Sequence, residues 1–186
     1  KYPLKLATTG VLLVMDVRMG KMLAMAQYPN YDLNAMVAGG EAAAEIVRDE
    51  RGLLLNYAVQ TRAEPGSIFK MVSGLGALID GKLYTNETIS DGGYFTKYNS
   101  DLSTAPKCWI SESQRYKHQY QTIVEGLSHS CNYFFYTLGD RLGETRLYQY
   151  AANFGFTSKT GIDLPGEVRS VVGCQTSLYD PDKAMD

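Results

Sequence analysis

From Ser67 to Leu78 the chain reads Ser-Ile-Phe-Lys-Met-Val-Ser-Gly-Leu-Gly-Ala-Leu, and Lys70 is its one charge before Asp80. Ile68, Phe69, Met71, Val72, Leu75, Ala77 and Leu78 run round a helical cylinder instead of along one stripe, the pattern of a buried helix. Such a segment demands a core built around it, and Gly74 and Gly76 with Ser73 predict close backbone approach there. Pro65-Gly66 reads as the turn before the first helical residue. Ser67 and Lys70, three apart, share one helix face. A lysine in an apolar place loses proton affinity, because burial penalises its charged form, and a neutral amine can take a serine proton. Free backbone N–H groups and the positive end of the helix dipole near Ser67 favour an anion developing there. A Ser-x-x-Lys spacing is common by chance, and an N-capping Ser67 with a snorkelling Lys70 satisfies it equally well.

A second motif supplies the complement. Ser130 and Asn132 stand in Ser128-His129-Ser130-Cys131-Asn132, at the entrance of a predicted helix that begins Tyr133-Phe134-Phe135-Tyr136-Thr137-Leu138. Ser130 also reads as an N-cap. As chemistry, its hydroxyl can relay a proton, and the Asn132 amide can hold a substrate amide or fix the lysine through its carbonyl.

Ser-x-x-Lys followed by Ser-x-Asn is the motif order of serine acyl-transfer enzymes that react with β-lactams. The chain resembles the transpeptidase domain of class B penicillin-binding proteins along most of its length. Met15 to Ala26 and Tyr28-Pro29-Asn30-Tyr31-Asp32-Leu33-Asn34 resemble the family's opening hairpin and following loop. Gly155-Phe156 and Thr160-Gly161-Ile162-Asp163-Leu164-Pro165-Gly166-Glu167 resemble its segment after the Ser-x-Asn helices. The resemblance implies an α+β fold, an antiparallel sheet flanked by helices, with residues 1–186 forming part of one transpeptidase domain. It also implies Ser67 as acylated nucleophile, Lys70 as its base, and Ser130 and Asn132 as proton relay and substrate holder.

The implied reaction is D,D-transpeptidation of peptidoglycan stem peptides. Ser67 attacks the penultimate D-alanine carbonyl, terminal D-alanine leaves, and an amine of a neighbouring stem resolves the acyl-enzyme. β-Lactams acylate the same serine. Other cell-wall synthesis proteins are implied as partners, on the outer face of the bacterial cytoplasmic membrane. The membrane anchor and a non-catalytic module are expected outside residues 1–186. A β-lactam sensor, a β-lactamase and an inactive interaction module share the fold. The Ile162–Glu167 segment favours the synthase over the β-lactamase, and retention of Ser67 and Lys70 disfavours the inactive module.

Lys159-Thr160-Gly161 spells the family's third motif, yet it directly precedes Ile162-Asp163-Leu164-Pro165-Gly166-Glu167, in a run whose Asn153, Gly155, Ser158 and Gly161 say loop. The class B segment accounts for all three residues without catalysis. The functional Lys-Thr/Ser-Gly strand, with its oxyanion donor, is therefore expected beyond Asp186. Between Trp109 and Gln121 the sequence departs from the family, with Tyr116-Lys117-His118-Gln119 where a Gly-His-Gly turn is common.

A net charge of −2 without a dense basic stripe argues against nucleic-acid binding. The 45% hydrophobic share and 186 residues allow a sizeable core. Cys108, Cys131 and Cys174 make an odd count, so they cannot all pair internally. They read as buried free thiols, with Cys108–Cys131 the pair to test for a disulfide. A zinc site from Cys108, His118, His129 and Cys131 lacks close-paired ligand spacing. No metal or cofactor is expected, and the two histidines read as packing or surface residues.

Gly10 to Val17 and Lys21 to Gln27 predict a hairpin around Arg18-Met19-Gly20, and Tyr28 to Asn34 a loop. Glu41 to Arg48 predicts a solvated helix. Tyr84 to Lys107 predicts short strands and loops near the groove, with Tyr94, Phe95 and Tyr98 able to line substrate but read first as packing aromatics. Thr122 to Ser128, Asn132 to Leu142 and Glu144 to Phe154 predict helices, stopped by Gly143 and Gly155.

Overall fold

The computed structural model describes residues 8–111 and 118–173. The described residues divide into two compact units, one of residues 8–63 with Gly161–Val168, the other of residues 64–111, 118–160 and 169–173.

The first unit is built on the expected hairpin. Strands β1 (Gly10–Asp16) and β2 (Lys21–Tyr28) pair antiparallel from Gly10↔Tyr28 to Asp16↔Lys21, with a bulge between Val14 and Met15. Gly20 closes the turn at φ 67°, a left-handed conformation that suits glycine. Short helix α1 (Leu33–Ala38) starts where the sequence predicts loop, because the Asp32 carboxylate accepts from Asn34 N–H. Helix α2 (Gly40–Arg48) buries none of its residues, in keeping with its charge pattern. Helix α3 (Tyr57–Gln60), capped by Asn56, is tied to β2 through Gln27, whose side chain donates to Leu55 O at 2.9 Å and accepts from Tyr57 N–H at 3.0 Å. Val168 N–H closes on Val59 O at 2.9 Å, joining the Gly161–Val168 segment to this unit.

The second unit centres on helix α4 (Lys70–Ile79), entered through a 3-10 turn over Gly66–Phe69. A two-stranded ladder pairs β3 (Ile89–Ser90) with β4 (Tyr120–Gln121). Helices α5 (Ile123–Ser128), α6 (Asn132–Leu142) and α7 (Glu144–Asn153) follow. Thr122 and Glu125 form a reciprocal capping box at α5, and Gly143 and Gly155 end α6 and α7 with φ of 73° and 86°. Val72 and Ala77 of α4 share one core with Ile123, Phe134, Leu138 and Tyr150.

Helix α4 is not buried on every side as its composition predicts. Val72, Ser73, Gly74, Gly76 and Ala77 are buried, but Ile68, Met71, Leu75 and Ile79 are 45–69% exposed. The packed side faces α5, α6 and α7. The glycines are where close approach requires them: a Cβ on Gly76 would lie 2.6 Å from a Tyr150 ring carbon. Gly76→Ala is therefore expected to cost about 1–3 kcal/mol. Gly139→Ala, on open space in α6, is expected to be neutral or stabilising by up to about 1 kcal/mol. Urea denaturation of the two variants checks the contrast.

Candidate active site

The 3-10 turn brings Ser67 and Lys70 onto one edge, since side chains at i and i+3 eclipse in that geometry. Ser67 is exposed and Lys70 half-buried. The local reason for Ser130's position lies at the end of α5. Ser130 N–H donates to Leu127 O at 3.0 Å and Cys131 N–H to Gly126 O at 2.9 Å, the paired bonds of a Schellman motif. That motif places Ser130 at the left-handed position usually held by glycine. Its φ of 50° makes it the one non-glycine residue with positive φ among the described residues, at a cost of about 1–2 kcal/mol. Cys131 then caps α6, its Sγ accepting from Phe134 N–H at 3.4 Å. Ser130 thus stands locked between two helix ends.

The four residues singled out in the sequence come together within this unit. Lys70 Nζ donates to Ser130 O at 2.7 Å, to Ser130 Oγ at 3.0 Å and to Asn132 Oδ1 at 2.7 Å. Ser130 Oγ lies 3.0 Å from Ser67 Oγ. Ser67, Ser130 and Lys70 therefore form a continuous hydrogen-bonded row, with the serine–lysine connection running through the second serine. Desolvation lowers the Lys70 pKa, opposed by charge on Cys131 and Cys108. An open cleft of about 720 Å³ borders this row, lined by Ser67, Lys70 and Asn132 and by the aromatic side chains of Phe95, Tyr98 and Tyr136. Phe95 packs on Tyr98, Tyr133 and Tyr136 at centroid distances of 5.7–6.4 Å, so it belongs to the packing as well as the wall. Lys159, Thr160 and Gly161 lie in an irregular stretch, as their composition predicts.

The spacing argument against a metal does not hold once the chain is folded. Asp91, Cys108, His118 and Cys131, all buried, each bring one donor atom within 4.8 Å of the others. Asp91 takes the place assigned in the sequence to His129, which instead stacks on His118 at 5.4 Å. A tetrahedral ion with bonds of about 2.0–2.3 Å needs donors roughly 3.3–3.8 Å apart. Here His118 Nδ1 is 3.3 Å from Asp91 Oδ2, Cys131 Sγ 3.4 Å from the same oxygen, Cys108 Sγ 3.5 Å from His118 Nδ1, and the two sulfurs 3.8 Å apart. Two thiols, an imidazole and a carboxylate are all donor types that zinc accepts, so these residues can hold a zinc-type ion. Burial, with the Asp91 charge and the neighbouring Cys108, pushes the Cys131 thiol up to about 12, and a divalent cation reverses that balance by favouring thiolate. Adding zinc to metal-stripped protein is expected to raise its melting temperature by several degrees, and Cys108→Ala to abolish the gain; differential scanning calorimetry reads both. Both cysteines are free thiols. Cys174, Tyr116 and Lys117 lie outside the described residues.

The Penicillin binding protein transpeptidase domain family matches residues 10–178. The chain belongs to this family, and its relatives place it with the class B proteins. It is 32% identical to Stage V sporulation protein D of Bacillus subtilis, over 84% of this chain and 22% of that protein. It is 31% identical to the peptidoglycan D,D-transpeptidase MrdA of Acinetobacter baumannii, over 85% of this chain and 23% of that one. Solved structures of the penicillin-binding protein PBP2 of Helicobacter pylori, alone and in complex with MreC, superpose with TM-scores of 0.77 and 0.76 at 28% identity, covering 88% of this chain and 30% of theirs. The α+β fold is thus that of a penicillin-binding transpeptidase domain, and the chain spans under a quarter of the length of these curated relatives. Among the described residues no helix is long and apolar enough to cross a membrane.

Proposed function

We propose that the chain carries the acylation centre of a peptidoglycan D,D-transpeptidase, with Ser67 as nucleophile, Lys70 as base, Ser130 as relay and Asn132 as the residue that fixes Lys70 and holds substrate. The observation that carries this reading is the unbroken row Ser67 Oγ, Ser130 Oγ, Lys70 Nζ. With Lys70 neutral, two of its hydrogens stay on Ser130 O and Asn132 Oδ1, and its lone pair faces Ser130 Oγ. Attack by Ser67 on the penultimate D-alanine carbonyl then moves two protons one step each, Ser67 to Ser130 and Ser130 to Lys70. The oxyanion forms beside the Ser67 backbone N–H. Collapse of the tetrahedral adduct breaks the peptide bond, and the leaving D-alanine amine takes a proton back through Ser130. A second stem's amine reverses the sequence, losing its proton along the same row while Ser67 leaves. A β-lactam enters by the same first step, its ring nitrogen as the leaving group.

The relatives named peptidoglycan D,D-transpeptidase support peptidoglycan as substrate, and a substrate in the cell wall puts the proposed site of action outside the cytoplasmic membrane. The H. pylori complex supports a cell-wall synthesis protein of the MreC kind as partner. The test is intact-mass spectrometry after benzylpenicillin treatment: one adduct on the wild-type protein and on Lys159→Ala, none on Ser67→Ala. An adduct that persists in Ser67→Ala overturns the assignment.

A further inference from the structure

The segment Lys107–Cys108–Trp109 runs alongside the turn that carries Ser130 and touches it at three successive places. Lys107 O accepts from Asn132 Nδ2 at 3.4 Å, Cys108 Sγ lies 3.8 Å from Cys131 Sγ, and Trp109 Nε1 donates to His129 O at 3.1 Å. The strap is anchored behind. Cys108 N–H donates to Gly93 O and Phe95 N–H to Pro106 O, both at 2.8 Å, and Tyr94 bridges Lys107. Trp109 also meets His118 edge-on at 5.3 Å, His118 stacks on His129, and Gln121 Nε2 meets His129 Nδ1 at 2.5 Å. The indole is 62% exposed, yet its N–H is spent on the carbonyl of the peptide that leads into Ser130. That peptide sets the left-handed turn, and the turn sets where Ser130 Oγ points.

We infer that Trp109 is a positioning residue for the acylation step: its indole N–H holds the His129–Ser130 peptide so that the Ser130 hydroxyl stays between Ser67 and Lys70. This rests on the relay role proposed above for Ser130. The hydrogen bond acts on a group that matters while protons move, not on the cleft that receives the ligand. Its loss therefore shows in the first-order acylation constant and not in the affinity of the non-covalent complex.

The test is quenched-flow acylation of the full chain by benzylpenicillin at several concentrations, which separates the two constants. Trp109→Phe keeps a ring and loses the donor. It is expected to lower the first-order constant about tenfold while leaving the dissociation constant within about twofold. Trp109→His, which retains a ring N–H, is expected to recover part of the rate and keeps the test open should Trp109→Phe fail to fold. In a Ser130→Gly background, Trp109→Phe is expected to change nothing further, since the group it positions is gone. An unchanged first-order constant in Trp109→Phe, a loss seen in affinity instead, or an undiminished loss in the Ser130→Gly background overturns the inference. Ser67→Ala run in parallel keeps the two levels apart: an adduct there sinks the acyl-serine reading itself, whereas no adduct there with a neutral Trp109→Phe sinks the positioning role alone.

Discussion

Replacing Ser67 by alanine is expected to abolish covalent labelling by benzylpenicillin and to lower any residual acyl transfer by on the order of 10,000-fold or more. The size of the effect follows from the geometry. Ser67 Oγ is the exposed end of the hydroxyl–hydroxyl–amine row, and removing it leaves Ser130 and Lys70 hydrogen-bonded to each other with nothing to activate. Asn132 and the aromatic wall remain, so the variant should still bind ligand reversibly. Equilibrium binding of a penicillin, measured by calorimetry, therefore stays detectable while the mass adduct disappears. A variant that loses both has lost its fold, which its melting curve will show.

Lys70 gives the second large effect, on rate and on pH together. Its pKa is lowered by burial, so the neutral amine becomes available below the ordinary lysine range. A base acts in its neutral form, and the acylation rate should climb with pH through the Lys70 pKa and level off above it, with a midpoint below 10.5. The same shift links to folding. Between the folded and unfolded pKa values the unfolded chain holds more protons than the folded one, so this contribution to stability rises with pH and is lost as pH falls through the folded value. Lys70→Ala is expected to slow acylation by roughly 100- to 10,000-fold and to flatten the profile. Lys70→Arg keeps a cation among the same three acceptors but cannot give up its proton, and it should be as slow as the alanine variant. Fast acylation in Lys70→Arg with the pH dependence intact would remove Lys70 from the role of base. A rate profile from pH 5 to 10 on the three proteins decides it.

What the sequence made legible was local chemistry. Helix α6 begins and ends where Asn132 and Leu142 are expected, with Gly143 as its stop, but its cap is Cys131 and not Ser130, because the Schellman turn that ends α5 takes Ser130 into the left-handed conformation. The hairpin follows from apolar strands flanking Arg18-Met19-Gly20. Helices α1 and α3 escaped notice because six- and four-residue helices have too few positions to show a period, and each rests on a single cap, Asp32 or Asn56. The exposed side of α4 was illegible for another reason: composition says how apolar a helix is, not how many neighbours cover it. Ser67, Lys70, Ser130 and Asn132, the residues of the proposed site, are contained in two short motifs. Asp91, Lys107 and Trp109 belong to no motif. The four buried donors are scattered over 40 positions, from Asp91 to Cys131, and it takes the β3–β4 ladder, the α5–α6 turn and the strap that holds Cys108 on Gly93 to bring them together. Nor does any spacing show that Ser130 intervenes between Ser67 and Lys70, since that depends on a Schellman turn ending in serine.

The left-handed backbone at Ser130 restricts what can succeed it in descendants of this chain. Residues at ease in that conformation are glycine and, less so, asparagine and aspartate, none of which has a hydroxyl. Threonine has the hydroxyl but its branched side chain resists the conformation. With Ser130 as the proposed relay, a lineage selected for a sturdier fold would be drawn toward glycine here, and one selected for acyl transfer held at serine. Under the relay role proposed for Ser130, position 130 is thus a place where hardiness of the fold and acyl transfer compete.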